Sequence, residues 1–204
     1  MSIQQTLRIK SLILACVGAT LLVMLTQTPM RQTLEASMSL HMLVQYPALM
    51  LVGVLLGAAL QVLPEQIRSR LSTWNVLGIS GLVACALLLA VLMIPRVLDL
   101  ALTDSPVEAA KVAVLIFVGM VLWPSWRAAG LIVQGFFLGN SVPMMFIVGT
   151  LYQDSPQRLC NAYRLDDQQN LGGTLMWLAV VVAVLWLLSI SRRLVFAGDV
   201  PSEI

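Results

Sequence analysis

Residues 166–190, DDQQNLGGTLMWLAVVVAVLWLLSI, pass from two acids and three amides through a glycine pair into an unbroken apolar segment. The hydrocarbon core of a bilayer is about 30 Å thick, and about 20 helical residues cross it. The apolar part of this stretch therefore predicts a transmembrane helix. Its polar entrance has two competing explanations, a helix cap and a binding site.

The rest of the chain is equally apolar. Of 204 residues, 59% are hydrophobic and 11% are charged, and the mean hydropathy is +0.90, which exceeds what one soluble core could bury. The apolar runs do not alternate, so they predict helices and not barrel strands. We expect an all-α integral membrane protein, a single transmembrane helical domain over residues 1–204. About six spans are predicted, at 11–27, 38–63, 75–94, 109–125, 128–151 and 171–190.

The basic residues predict an orientation, because Lys and Arg near span ends are retained on the cytoplasmic side. With the N-terminus inside, the cytoplasmic face receives seven basic residues, the outer face five. Both termini are then cytoplasmic. The first span also suits a secretory signal, but its length favours an uncleaved anchor. The seven cytoplasmic residues are Arg8, Lys10, Arg68, Arg70, Arg127, Arg192 and Arg193.

Glycine spacing predicts close helix packing. Gly53 and Gly57, and again Gly135 and Gly139, are four residues apart, which lets two helix backbones approach within a bilayer. Such pairs are common in apolar helices, so they do not identify a partner helix. They are nevertheless the packing faces that a subunit of a larger membrane complex would need.

Several classes of function are excluded by composition and spacing. A net charge of +2 without a basic stripe gives no basis for binding nucleic acid. Cys16, Cys85 and Cys160 lack paired spacing, so no disulfide framework is expected, and the two within spans should be buried. No predicted span has a charged residue at its centre, where an intramembrane enzyme or proton-coupled transporter would need one. We expect no enzyme.

His41 is the one histidine in the chain, so a bis-histidine haem or a two-histidine zinc site within one subunit is excluded. Met38, His41, Met42 and Gln45 follow an i, i+3, i+4, i+7 pattern that places them on one helical stripe at the outer face. Thioether and imidazole ligands suit Cu(I). The competing interpretation is a histidine hydrogen-bonded inside the bundle, beside methionines that only fill gaps.

The polar entrance of the last span is partly explained as a helix cap. Asp166 or Asp167 would satisfy free N–H groups at the helix start and complement its dipole. Gly172 and Gly173 would then allow a neighbouring helix to approach closely. If that neighbour is the second span, His41 faces the acids across an outer-leaflet pocket.

Two stretches resemble a known family. Residues 41–57, HMLVQYPALMLVGVLLG, are similar to the second conserved helix of the CtaG-type polytopic proteins associated with cytochrome c oxidase assembly, typically His-Met-x-x-Gln-His. Tyr46 stands where that pattern has its second histidine, and Asn170 interrupts the other motif. That other motif, Asp-Gln-Gln-Leu-Gly-Gly-x-x-Met-Trp, is matched by Asp167, Gln168, Gln169, Leu171, Gly172, Gly173, Met176 and Trp177.

The resemblance implies copper handling at the outer face of a bacterial inner membrane during maturation of a respiratory oxidase, which would be the membrane partner. We expect copper as the cofactor, with His41, Met38 and Met42 as ligands. A carboxylate suits a supporting role, so Asp167, or alternatively Asp166, is expected to orient the imidazole through its other ring nitrogen. The alternative is a non-catalytic structural subunit of a larger membrane complex without a metal.

Overall fold

The computed structural model describes residues 3–60, 66, 69 and 73–198, and the regular elements within this part of the chain are helical. A short 3-10 turn, Val76–Gly78, precedes the fourth helix. The helices are α1 (Ile3–Thr26), α2 (Thr28–Glu35), α3 (Met38–Ala59), α4 (Ile79–Leu92), α5 (Pro95–Thr103), α6 (Ser105–Ala128), α7 (Leu131–Asp154) and α8 (Leu165–Gly198).

The predicted all-α membrane bundle is confirmed. Five helices, α1, α3, α6, α7 and α8, are long and apolar enough to cross a membrane. The third predicted span, 75–94, corresponds to α4. This helix is long enough to cross a membrane only when it is taken together with α5, and the two are bent by 71° relative to each other. The described chain therefore has five such helices, or six spans if the bent pair counts as one. Residues 61–63 of the second predicted span lie outside the described part.

A proline explains the bend between α4 and α5. Pro95 has no N–H to donate, and it holds the residue before it in an extended conformation. The break leaves carbonyls at the end of α4 without helical donors, and two tyrosines supply replacements. The hydroxyl of Tyr46 donates to the Leu92 carbonyl at 3.4 Å. The hydroxyl of Tyr152 donates to the Met93 carbonyl at 3.3 Å.

Helix α3 begins irregularly. Residues His41–Gln45 form a π-helical turn, in which the Tyr46 N–H donates to the His41 carbonyl. Pro47 follows and has no N–H for the carbonyl of Leu43, which is a common cause of local helix distortion. Turns of this kind are frequent at functional sites.

The Gly53 face of α3 packs closely against α6. A Cβ placed on Gly53 would lie 2.9 Å from the Cα of Gly119, and one on Gly57 would lie 3.2 Å from the Cα of Met120. The predicted packing of this glycine pair is therefore confirmed, and its partner is α6.

The glycine pair of α8 has a different neighbour from the one predicted. A Cβ on Gly172 would lie 2.6 Å from the backbone nitrogen of Gln153, and one on Gly149 would lie 2.8 Å from the Gly172 carbonyl oxygen. Both partners belong to α7. The last span does neighbour the start of α3, as predicted, but Gly172 and Gly173 were wrongly assigned to that contact, because α7 occupies their face of α8.

Two smaller expectations are only half right. A Cβ on Gly135 would lie 3.0 Å from the ring of Trp186, but one on Gly139 would have no atom within 4 Å. Cys85 is buried as expected, whereas Cys16 is exposed. Cys16 lies on α1, which packs mainly against α3, so the other faces of α1 are not covered by the protein.

The bundle has two ends, which we name after one residue each. At the Ser125 end, Nδ2 of Asn75 donates to Oγ of Ser125 at 2.8 Å, and the Ser11 hydroxyl of α1 donates to the Ala59 carbonyl of α3. At the Lys111 end, α2, α3 and α6 meet. The chain of α1 starts, and that of α8 finishes, at the Ser125 end.

Candidate functional site

Lys111 is a buried cation in the first third of α6, with 1% of its surface exposed. Its ammonium Nζ donates to Oε1 of Glu35 at 2.8 Å and to Oε1 of Gln45 at 3.5 Å. A buried ammonium is costly unless it is paired, and within a membrane it commonly marks function. We call the side chains connected to it the Lys111 network, which comprises Arg31, Glu35, His41, Gln45, Glu108, Lys111 and Tyr163.

The charges of the Lys111 network balance. Nη1 of Arg31 donates to Oε2 of Glu108 at 2.6 Å. Nε of Arg31 lies 3.6 Å from Oε2 of Glu35, which is an ionic contact too long for a hydrogen bond. Two cations therefore meet two carboxylates, as the low dielectric of a membrane protein interior favours. The Arg31 side chain is 35% exposed, so the network reaches from Lys111 to the rim of the bundle.

His41 is fully buried, and both of its ring nitrogens are occupied. Nε2 lies 3.1 Å from Nζ of Lys111, and Nδ1 lies 2.6 Å from the Tyr163 hydroxyl. A charged ammonium has no lone pair, so Nε2 must accept from it. A neutral imidazole then carries its proton on Nδ1, which donates to the tyrosine oxygen. The Lys111 network thus determines the tautomer of the one histidine in the chain.

Tyr163 reaches His41 from the α7–α8 loop, where it is 5% exposed. Burial raises its pKa above the ordinary tyrosine value, so the hydroxyl stays protonated. Gln168, at the start of α8, holds this loop by accepting from the Leu159 N–H at 2.8 Å. The loop therefore closes the Lys111 end over the histidine.

Asp167 caps α3 and does not contact the histidine ring. Its Oδ2 accepts from the Met38 N–H, and its Oδ1 accepts from the Ser37 hydroxyl at 3.0 Å. Asp166 is exposed. The predicted role of Asp167 in orienting the His41 imidazole was therefore wrong, because the tyrosine hydroxyl described above holds that position. Asp167 does cap a helix, but that helix is α3 and not, as predicted, its own helix α8.

The predicted copper ligands lie together at the Lys111 end without offering an open site. Met38 and Met42 are 0% and 3% exposed, close to His41 in the chain. Copper could bind the imidazole only if Lys111 or Tyr163 first moved away, and the ammonium repels a cation. Among the described residues, no group of three or more His, Cys, Asp and Glu side chains is placed to hold a metal ion. This arrangement does not fit a resident copper ion, and the ligand set stays a prediction.

Sequence reasoning missed Glu35, Lys111 and Tyr163 as members of the site. One signal could have found the lysine. Pro106 follows Asp104 and Ser105, a pattern typical of a helix start, so Lys111 lies well inside α6 and not in a loop. The 76 residues that separate Lys111 from Glu35 left no local pattern for their pairing.

Comparisons with protein-family models, with curated proteins and with solved structures find no match to this chain. The resemblance to the CtaG-type proteins therefore rests on the two sequence motifs alone. In the fold, these two motifs meet where Asp167 of the second one binds the N–H of Met38, three residues before the first one begins.

Proposed function

We propose that this protein is a non-catalytic helical subunit of a larger membrane protein complex and that no metal is resident at His41. The observation that carries this proposal is the occupation of both imidazole nitrogens, by Lys111 at 3.1 Å and by Tyr163 at 2.6 Å. A histidine with both nitrogens engaged supports structure, since a metal ligand must present a free lone pair.

The Lys111 network joins segments that are distant in the chain. Lys111 of α6 binds Glu35 at the end of α2, and it also contacts His41 of α3. Tyr163 adds the α7–α8 loop. Removing any one member would leave buried polar groups unpaired, so the network favours one arrangement of these segments. A surface held in this way is suited to contact with a partner protein.

A second candidate function is copper handling during the maturation of a respiratory oxidase, as in the CtaG-type proteins. The contact of Asp167 with Ser37 and Met38 favours it, because it joins the two family-like motifs at one end of the bundle. Copper would then be a cargo and not a resident ion. Its binding to His41 would require a rearrangement of the Lys111 network.

For both candidates we propose a bacterial inner membrane with both termini in the cytoplasm. The sequence count of seven basic residues against five supports this orientation, although the described residues alone have five at each end. Arg68 and Arg70, which contributed to the prediction, lie outside the described residues. Cysteines introduced at Arg127 and Asp154 test it with an impermeant thiol reagent applied to intact cells. Only the Asp154 position should react, and the opposite result would invert the orientation.

Copper content decides between the two candidate functions. We would purify the wild type, His41→Ala and Met42→Leu from copper-replete native membranes and measure copper per chain. Met30→Leu is the matched control, because Met30 is an exposed thioether at the same end of the bundle. The structural subunit predicts no stoichiometric copper in any of the four proteins. Copper in the wild type and the control that is lost in His41→Ala would overturn it and establish copper handling.

A further inference from the structure

A groove opens at the Ser125 end between α1, α3 and α6. Its volume is about 460 Å³, within the range of about 300–1,000 Å³ that is usual for ligand pockets. It lies far from the Lys111 network, at the opposite end of the bundle. Its lining includes Ser11, Leu12, Ala15, Leu56, Ala59 and Met120.

The groove suits a hydrocarbon guest. Ser11 supplies the one hydroxyl among those lining side chains, and this hydroxyl already donates to the Ala59 carbonyl. The remaining lining side chains are apolar, so a polar ligand would lose its hydrogen bonds to water without replacement. An acyl chain has no such bonds to lose.

A basic side chain lies above the groove on the same face of α1. Arg8 precedes Ser11, Leu12 and Ala15 by three, four and seven residues, which is the spacing of one helical stripe. Arg8 and the nearby Lys10 are both exposed. An anion above the groove would therefore meet positive charge on the helix that lines it.

The described carboxylates lie at one end of the bundle, whereas the described basic residues are found at both ends. Arg8, Lys10, Arg127 and Arg192 lie at the Ser125 end and are exposed. The carboxylates of the described residues all belong to the Lys111 end, in α2, α5, the starts of α6 and α8, and the end of α7. No described carboxylate therefore opposes an anion at the mouth of the groove.

We propose that the groove binds one acyl chain of an anionic phospholipid, whose phosphate is held by Arg8. Basic clefts between transmembrane helices on the cytoplasmic side are known to hold anionic lipid head groups. The acyl chain supplies contact with the apolar lining, and the phosphate supplies selectivity over zwitterionic lipids. The lipid would cover the part of α1 and α3 that the protein leaves open.

Native mass spectrometry of the delipidated full chain tests whether Arg8 selects an anionic head group. Phosphatidylglycerol and phosphatidylcholine with identical acyl chains are offered in equal amounts. The wild type should retain phosphatidylglycerol preferentially, and Arg8→Gln should lower its retention about fivefold, the scale of one basic side chain at a membrane surface. Arg127→Gln is the matched control, because it removes an equal exposed charge at the same end. Equal retention of both lipids by the wild type, or no loss in Arg8→Gln, would overturn the proposal.

A second variant pair tests the groove itself. Ala15→Phe fills the groove and leaves Arg8 unchanged, so it should lower phosphatidylglycerol retention as much as Arg8→Gln does. Val17→Phe places the same aromatic ring at an exposed position of α1 and should bind lipid as the wild type does. Unchanged retention in Ala15→Phe would show that the lipid binds by charge alone and that the groove is not its site.

Discussion

Both ends of the bundle carry charged side chains, but their surroundings differ. At the Lys111 end, two cations and two carboxylates are paired with one another, and the ammonium of Lys111 is sealed from solvent. At the Ser125 end, the described basic side chains are exposed and no described carboxylate accompanies them. The first arrangement holds the protein together, because its groups depend on one another. The second leaves charge free for an outside partner.

The largest expected effect comes from unbalancing the Lys111 network. Glu35→Gln removes the carboxylate that Lys111 binds at 2.8 Å and leaves a buried ammonium without its ion pair. Breaking a buried pair in this way costs about 3–5 kcal/mol of unfolding free energy. Reversible unfolding in mixed micelles measures this loss of unfolding free energy. Arg164→Gln breaks an ion pair of which both side chains are largely exposed, 85% and 66%, and should cost about 0–1 kcal/mol. Equal losses in the two variants would show that the buried pair of Lys111 and Glu35 contributes no more than an exposed ion pair at the same end.

The closed α7–α8 loop predicts an unreactive thiol. Burial, with the nearby charge of Asp99, raises the pKa of Cys160 to about 12. Because the thiolate is the reactive form, at pH 8 its population should be about a thousandfold below that of an ordinary cysteine. A variant in which Cys160 is the one cysteine should resist alkylation until it unfolds, with reactivity rising as the pH approaches 12. A cysteine introduced at the exposed Asn161 is the control. Comparable alkylation rates at pH 8 would show that the loop does not close this end.

At the Ser125 end, a single side chain should have a smaller effect. Asn75 donates to Oγ of Ser125 at 2.8 Å and accepts from the Gly81 N–H at 2.9 Å. Asn75→Ala removes both hydrogen bonds, and the expected loss is about 1–2 kcal/mol of unfolding free energy. The same unfolding measurement compares it directly with Glu35→Gln. A loss larger than that of Glu35→Gln would reverse the order of the two ends.

Much of the fold could be predicted because each membrane span is a continuous run of apolar residues in the sequence. The apolar segment after Gly173 is long enough to cross a bilayer whatever its neighbours are. The neighbours themselves were harder to identify. Gly172 permits close approach by any helix, and only the folded chain shows that the residue opposite is Gly149.

The candidate site was mostly hidden from sequence reasoning because its contacts are non-local. Asp167 binds the N–H of Met38 across 129 residues, and His41 binds Tyr163 across 122. His41 could be singled out because it is the one histidine in the chain. The helical spacing of Met38, His41, Met42 and Gln45 predicted that these residues share one face of the helix. The partners of His41 could not be predicted, since a lysine and a tyrosine in distant segments carry no shared pattern.

The central claim is that the Lys111 network occupies both nitrogens of His41, and the imidazole reports on it directly. Because the chain has one histidine, ¹⁵N-histidine labelling gives a single pair of ring signals without assignment. Solid-state NMR of the protein in bilayers should show a neutral ring protonated at Nδ1, with Nε2 accepting a hydrogen bond. Protonation at Nε2, or a ring signal that shifts when Cu(I) is added, would contradict the account.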